Sequence, residues 1–253
     1  MHTGEEPPCK AKVRRILPGS PKAIKGQQAI KELERLGIIE RVKPGEPNNW
    51  SSPGHFTLKS DGWFIEMRWR LSTDYSKTVL DLFPLPNLRS FTDEVAGSII
   101  FSKLDLTKAF HQILINPRDR QKTCITTPWG LFDFRRLSMG MKNSAQSFQR
   151  LIQDVLKEIP DIFVYLDDIL VFSKDKTSHL KTVEEVLRRL SDAGLTLALS
   201  KCQFGLQELE YLGFLVNSEG IRPVDKKISA IITSQPPKKT KTTVSVLGSP
   251  ILL

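Results

Sequence analysis

No apolar run in this sequence approaches the roughly 18 residues that a helix needs to cross a bilayer. The first ten residues, Met1 to Lys10, are polar and Pro-rich and do not read as a secretory signal. Cysteine is scarce: Cys9, Cys124 and Cys202 are three in number and far apart. An odd set without metal-ligand spacing argues against a disulfide framework or a zinc site, and suits a reducing compartment. No internal repeat is visible. Acidic residues are in deficit, 28 against 37 Lys and Arg, which leaves a formal net charge of +9. That excess suits a polyanionic partner, because each phosphate neutralised releases condensed counterions. What remains is ordinary for a globular protein, with 40% hydrophobic and 26% charged residues over a length of 253, enough for one large domain or two small ones.

Residues 1–20 read as a linker, broken by Pro7, Pro8, Pro18 and Gly19. Over 22–40, Ile24, Ile30, Leu33, Leu36 and Ile39 are spaced for an amphipathic helix, with Gly37 as its stop. His55 to Lys59 predicts a short strand and Asp61-Gly62 a hairpin turn. Ile99 to Leu106 reads as a buried strand ending in a carboxylate. Thr123 to Thr127 and Phe132 to Arg136 read as strands joined through Pro128-Trp129-Gly130. Helices are expected over 143–158 and 178–193, a hairpin over 162–171, another near Tyr211 to Gly220, and a short helix near 225–232. Strands and helices mix without a strict βαβ alternation, which predicts an α+β sheet with helices packed on one face.

The chemistry-bearing feature is Asp167-Asp168, set between the apolar runs Ile162 to Leu166 and Ile169 to Phe172. Aspartate is a common turn residue, and an acidic pair at a hairpin tip can be merely solvated. Two points weigh against that reading. The pair lacks the glycine or asparagine that tight hairpins prefer, and a third carboxylate, Asp105, ends another buried run. Two like charges about 4 Å apart repel by roughly 4 kcal/mol at an effective dielectric near 20. A divalent cation reverses that sign. All-oxygen ligation suits Mg²⁺, and two such ions fit an in-line phosphoryl transfer.

Tyr165-Leu166-Asp167-Asp168, followed by Ile169-Leu170-Val171-Phe172-Ser173, resembles the Tyr-x-Asp-Asp motif of reverse transcriptases in the form carried by gypsy-type retrotransposons. Phe101 to Leu106 with Ala109-Phe110-His111-Gln112-Ile113 resembles the motif of the first catalytic aspartate. Met139-Gly140-Met141, Asn143-Ser144-Ala145 and Ser147-Phe148-Gln149 are similar to the family's Phe-Gly-x-x-Asn-Ala-Pro-x-x-Phe-Gln stretch. Leu199 to Phe204, Tyr211 to Phe214 and Glu219-Gly220-Ile221 are similar to the segment leading into the primer grip. The motifs are collinear from about 84 to 232.

The resemblance implies a right-hand polymerase palm, a ferredoxin-like split βαβ sheet with helices on one face, plus partial fingers. It implies fingers over 21–95, interrupted at 63–77; a palm over 96–221 with a fingers segment at about 119–138; and the start of a thumb over 222–253. It implies RNA-directed DNA polymerase activity with two Mg²⁺ ions, or Mn²⁺ in their stead. The partners it implies are dNTPs and a primed RNA or DNA template, with no membrane. Asp105, Asp167 and Asp168 fall on the catalytic metal ligands, and the Leu106 carbonyl on a further one. Phe110 falls where an aromatic closes on the sugar 2′ position, Gly140 in the loop near the nascent base pair, and Lys59 and Arg70 on a triphosphate clamp. Tyr211, Leu212 and Gly213 fall on the primer grip. Cys202 reads as packing. The resemblance also implies that RNase H and integrase domains belong to a longer polyprotein. The family's setting is a cytoplasmic virus-like particle, with the nucleus as the other compartment.

One segment departs from the pattern. After Asp61-Gly62 the family runs Ser-Trp-Arg and then Cys-x-Asp-Tyr-Arg-x-Leu-Asn, whereas this chain has Trp63 to Lys77. Either Trp69-Arg70 and Asp74-Tyr75 are the motif with an insertion and a deletion, or the codons are shifted by one base. A shifted frame can restore Cys-x-x-Asp-Tyr-Arg-Arg there, and Leu-Arg-Gln-Phe-Leu over Thr242 to Val246. The second case predicts a catalytically inactive remnant that keeps a basic nucleic-acid-binding palm.

Overall fold

A computed structural model describes residues 10, 12–13, 15–45, 48–54, 81–138 and 141–224. In chain order the elements are α1 (Pro21–Arg35), β1 (Ile39–Arg41), β2 (Ser52–Pro53), α2 (Leu88–Val95), β3 (Ile100–Asp105), β4 (Ile125–Thr127), β5 (Gly130–Phe134), α3 (Ser144–Val155), β6 (Ile162–Tyr165), β7 (Asp168–Ser173), α4 (Lys176–Asp192), β8 (Gln203–Leu206), β9 (Glu208–Tyr211), β10 (Phe214–Asn217) and β11 (Gly220–Pro223). Short 3-10 turns cover Ala109–Gln112, Pro117–Thr123 and Leu199–Lys201. Among the described residues no helix is long and apolar enough to cross a membrane. The strand expected at 55–59, the turn at 61–62, the segment 63–77 and the helix near 225–232 lie outside the described residues.

The central sheet has the order β6-β7-β3-β8, all antiparallel. With α3 before β6 and α4 before β8, the connectivity is βαββαβ, the ferredoxin-like plan. Strand alternation sends Leu104, Val164, Ile169 and Val171 to one face, where α3 and α4 cover them with Phe148, Ile152, Val186 and Leu190. Phe101, Phe163, Leu170 and Phe172 point the other way and meet Phe91 and Val95 of α2 with Leu209, Tyr211 and Val216 of the small sheet β9-β10-β11. A core on both faces fixes the register, because a one-residue slip would exchange the two side-chain sets.

A second four-stranded sheet, β1-β5-β4-β2, carries α1 through Ile30, Ile38, Ile39, Ile125, Phe132 and Phe134. The helix expected over 22–40 ends at Arg35. Gly37 takes a left-handed φ of +63°, which turns the chain, and Ile39 then enters strand β1 beside Phe134. The β4–β5 hairpin turns through Pro128-Trp129, as the sequence predicts. The sequence reading assigns no element to helix α2, although Leu88, Phe91 and Val95 fall at helical spacing.

Candidate active site

The register of β3 against β7 makes Asp105 and Asp168 direct cross-strand partners. β6 and β7 close their hairpin with Tyr165 opposite Asp168, so Leu166 and Asp167 form a two-residue turn beside that pair. All three aspartates therefore gather at one end of the central sheet. The same alternation that turns Phe101 and Leu170 away from α3 and α4 carries Lys103, Asp105 and Asp168 on that face.

Like charges opposed across a strand pair are destabilising. Two lysines offset part of the cost. Lys103 Nζ stands 3.4 Å from Asp168 Oδ1, and Lys201 Nζ 3.4 Å from Asp105 Oδ1. Burial pushes the Asp167 carboxyl above the ordinary carboxylate range. Its own backbone N–H opposes that shift, and the charges on Asp168 and Asp105 add to it. Among the described residues no three carboxylate, histidine or cysteine side chains stand as a ready-made chelating set. The donors nevertheless fit a hard divalent ion in kind. They are carboxylate oxygens that repel one another, and two ammonium groups do not neutralise three carboxylates.

The backbone around the aspartates is tied down from several directions. Leu106, buried behind Asp105, donates its N–H to the Asp167 carbonyl at 3.3 Å. Ala198 N–H donates to the Asp105 carbonyl, and Asp105 N–H points at Cys202 Sγ, 3.4 Å away, in line with a packing role for that cysteine. Gln149 of α3 is fully buried. Its Oε1 accepts from Leu166 N–H at 2.7 Å, and its Nε2 donates to the Val164 carbonyl at 2.9 Å.

The remaining residues singled out in the sequence fall in different surroundings. Phe110 is 8% exposed, its ring 5.2 Å from that of Phe148 in the core under the sheet. Tyr211 is completely buried between Phe91 and Phe163. Its hydroxyl reaches the carbonyls of Asp168 at 2.9 Å and Phe163 at 3.3 Å, and burial, then the Asp168 charge, drives its pKa well up. Leu212 and Gly213 form the turn between β9 and β10, with φ of +49° and +79°. Lys59, Arg70 and Gly140 lie outside the described residues.

Sequence reading assigned no role to Lys103, Lys201 or Gln149. A signal was present for two of them. Lys103 precedes Asp105 by two residues and so shares its face, and Gln149 is an amide beside Phe148 on the inward side of an amphipathic helix.

The model of the reverse transcriptase (RNA-dependent DNA polymerase) family matches residues 68–216, more than half of the chain. The Pol polyprotein of the Drosophila melanogaster transposon opus is 35% identical over 230 residues, covering 88% of this chain and 22% of that protein. The corresponding polyprotein of the transposon gypsy is 34% identical over 208 residues, covering 80% and 20%. The transposon Tf2-3 polyprotein of Schizosaccharomyces pombe is 32% identical over 240 residues, covering 92% and 17%. The chain thus spans about a fifth of the length of these relatives. Among solved structures, the foamy viral protease-reverse transcriptase bound to an RNA/DNA hybrid superposes with a TM-score of 0.80 at 26% identity, covering 97% of this chain and 32% of that one. The same viral protein bound to dsDNA gives 0.80 at 25% identity, covering 97% and 50%. The fold is that of a right-hand polymerase palm with part of the fingers. By its motifs, its architecture and these relatives, the chain belongs to the reverse transcriptase family, in the form found in retrotransposon Pol polyproteins.

Proposed function

We propose that this chain extends a primer 3′-hydroxyl with dNTPs along an RNA or DNA template, with Asp105, Asp167 and Asp168 as the ligands of two Mg²⁺ ions. Mn²⁺ substitutes, and the Leu106 carbonyl supplies a further oxygen. The observation that carries the reading is the cross-strand pairing of Asp105 with Asp168, with Asp167 in the adjoining turn. Bound there, the ions would supply Lewis-acid charge that favours ionisation of the primer hydroxyl and departure of pyrophosphate. The chain's own part is to hold the three carboxylates together in spite of their repulsion. The β3–β7 register, the Gln149 contacts and the Tyr211 hydroxyl support that part. Lys103 and Lys201 screen the carboxylates.

The nucleotide-binding set comprises Phe110, Gly140, Lys59 and Arg70, with the Phe110 ring disfavouring a 2′-hydroxyl. The primer-grip set comprises Tyr211, Leu212 and Gly213; the Tyr211 side chain is buried, so the turn Leu212-Gly213 is the part of it offered to a primer. The template and primer partner is supported by the viral relatives bound to dsDNA and to an RNA/DNA hybrid.

Primer extension tests the proposal. Purified protein is given a primed RNA template, dNTPs and Mg²⁺, beside the double variant Asp167→Ala, Asp168→Ala. Extension is expected in the parent and a loss of at least about a thousandfold in the variant, as when charge-stabilising groups are removed at a transition state. Equal extension by both proteins would assign the activity to a contaminant and overturn the site.

A further inference from the structure

The turn that carries Asp167 contains an unfavourable residue. Leu166 has φ of +53°, in the left-handed region. An L-residue there meets a steric penalty between Cβ and the following carbonyl that a glycine avoids. Such backbone persists only where its surroundings over-determine it. Gln149 is the buried side chain that meets it. Both ends of its amide are spent on the hairpin, one on Leu166 N–H within the turn and one on the Val164 carbonyl two residues earlier. On its far side the turn is held by Leu106 N–H on the Asp167 carbonyl and by the Tyr211 hydroxyl on the Asp168 carbonyl.

We propose that Gln149 is a positioning residue, holding Leu166 in its left-handed conformation so that the carboxylates of Asp167 and Asp168 face Asp105. It touches no reacting atom. The plainer alternative is a core glutamine that happens to find two backbone partners. The two differ in one consequence. If Gln149 acts by enforcing the left-handed turn, glycine at position 166, which needs no enforcement, makes Gln149 dispensable. If Gln149 only fills the core, glycine at 166 changes nothing. The metal-related part of the inference rests on the proposed role of the three aspartates, but the turn-holding part does not.

The experiment compares the parent with Gln149→Met, Leu166→Gly and the double variant. Amide hydrogen exchange over 162–173 is followed without metal, and Mn²⁺ binding is followed by electron paramagnetic resonance without nucleotide or template. Gln149→Met is expected to speed exchange at the turn and to weaken Mn²⁺ binding about tenfold, the size of one lost buried hydrogen bond. The double variant is expected to match Leu166→Gly alone within about twofold, below 0.5 kcal/mol. Turn exchange unchanged in Gln149→Met would overturn the proposal, as would equal damage by that substitution in both backgrounds. Loss of the fold in both backgrounds would do the same, since it marks a core role, whereas a fold lost singly and regained in the double variant supports it. A parent that binds no Mn²⁺ refutes the metal reading of the aspartates and leaves the exchange comparison to decide the role of Gln149.

Discussion

Asp167 is where this chain gives up stability. Its carboxyl is half-buried beside two others, and its pKa lies above that of a free aspartate. A raised carboxyl pKa means that the folded state holds a proton which the unfolded chain has already released. Stability therefore falls as pH rises from the ordinary aspartate value through the raised one, and above it the penalty is complete. In metal-free protein at neutral pH, Asp167→Asn should raise the melting temperature. That gain should shrink as pH is lowered through the raised value and be gone by about 4, the ordinary aspartate range, because the parent carboxyl is then protonated in the folded state too. Thermal melts in a chelator at pH 7.5 and at the acid end check both the sign and its pH dependence. A variant no more stable than the parent at pH 7.5 would show that Lys103 and Lys201 already meet the electrostatic cost. The same substitution should destroy primer extension, so that function and stability move in opposite directions at one residue.

At the scale of elements, α4 is pinned to the central sheet by a buried histidine. His179 is 3% exposed, with Nε2 2.7 Å from Ser102 Oγ on β3 and Nδ1 3.2 Å from Ser173 Oγ on β7. Ser102 Oγ also accepts the Gly205 N–H at 2.9 Å, so one chain of polar contacts joins α4 to three neighbouring strands. Burial lowers the His179 pKa from its ordinary 6.5. The unfolded chain then takes up a proton that the folded protein refuses, so stability is complete above pH 6.5 and declines as pH falls below it, until the folded histidine titrates as well. A His179→Gln variant should be less stable at pH 7.5 and should lose this part of the acid slope, measured as urea midpoints between pH 7.5 and 5. An unchanged slope would assign the acid sensitivity to other groups. None of this was legible in the sequence, where His179 is one letter on the inward side of a helix. The elements with strong patterns were legible: β3, β4, β5, α3, the β6–β7 hairpin and α4 all lie within a few residues of their expected places. So was the aspartate set, because hairpin closure at Tyr165 and Asp168 follows from two apolar runs flanking an acidic pair. The end of α1 was misjudged because Leu36 and Ile39 continue a helical spacing past the glycine that turns the chain. Helix α2 was missed because Leu88, Phe91 and Val95, although helically spaced, give only three apolar positions over two turns behind Pro84 and Pro86. The Gln149 clamp depends on tertiary approach of α3 to a turn, which no local pattern encodes.

For the whole molecule the governing quantity is charge. A net +9 is distributed over a chain whose sheet end concentrates aspartates, so the surface as a whole attracts a polyanion while the site itself repels one. Affinity for a primer–template duplex should then be largely electrostatic and fall steeply with salt. If about six phosphates are contacted, the association constant should drop on the order of a thousandfold between 50 and 200 mM monovalent salt. Fluorescence anisotropy of a labelled RNA/DNA hybrid across that range gives the slope. The double variant Asp167→Ala, Asp168→Ala separates binding from chemistry. Removing two negative charges near the duplex path should leave binding intact or tighten it in the absence of divalent ions, with the slope unchanged, because no phosphate-contacting cation is lost. A shallow slope would mean that the basic residues are spread too thinly to track a backbone. A variant that bound more weakly than the parent without metal would mean that the aspartates organise the binding surface itself. In that case their juxtaposition would be holding the path of the nucleic acid as well as preparing it for the transfer step.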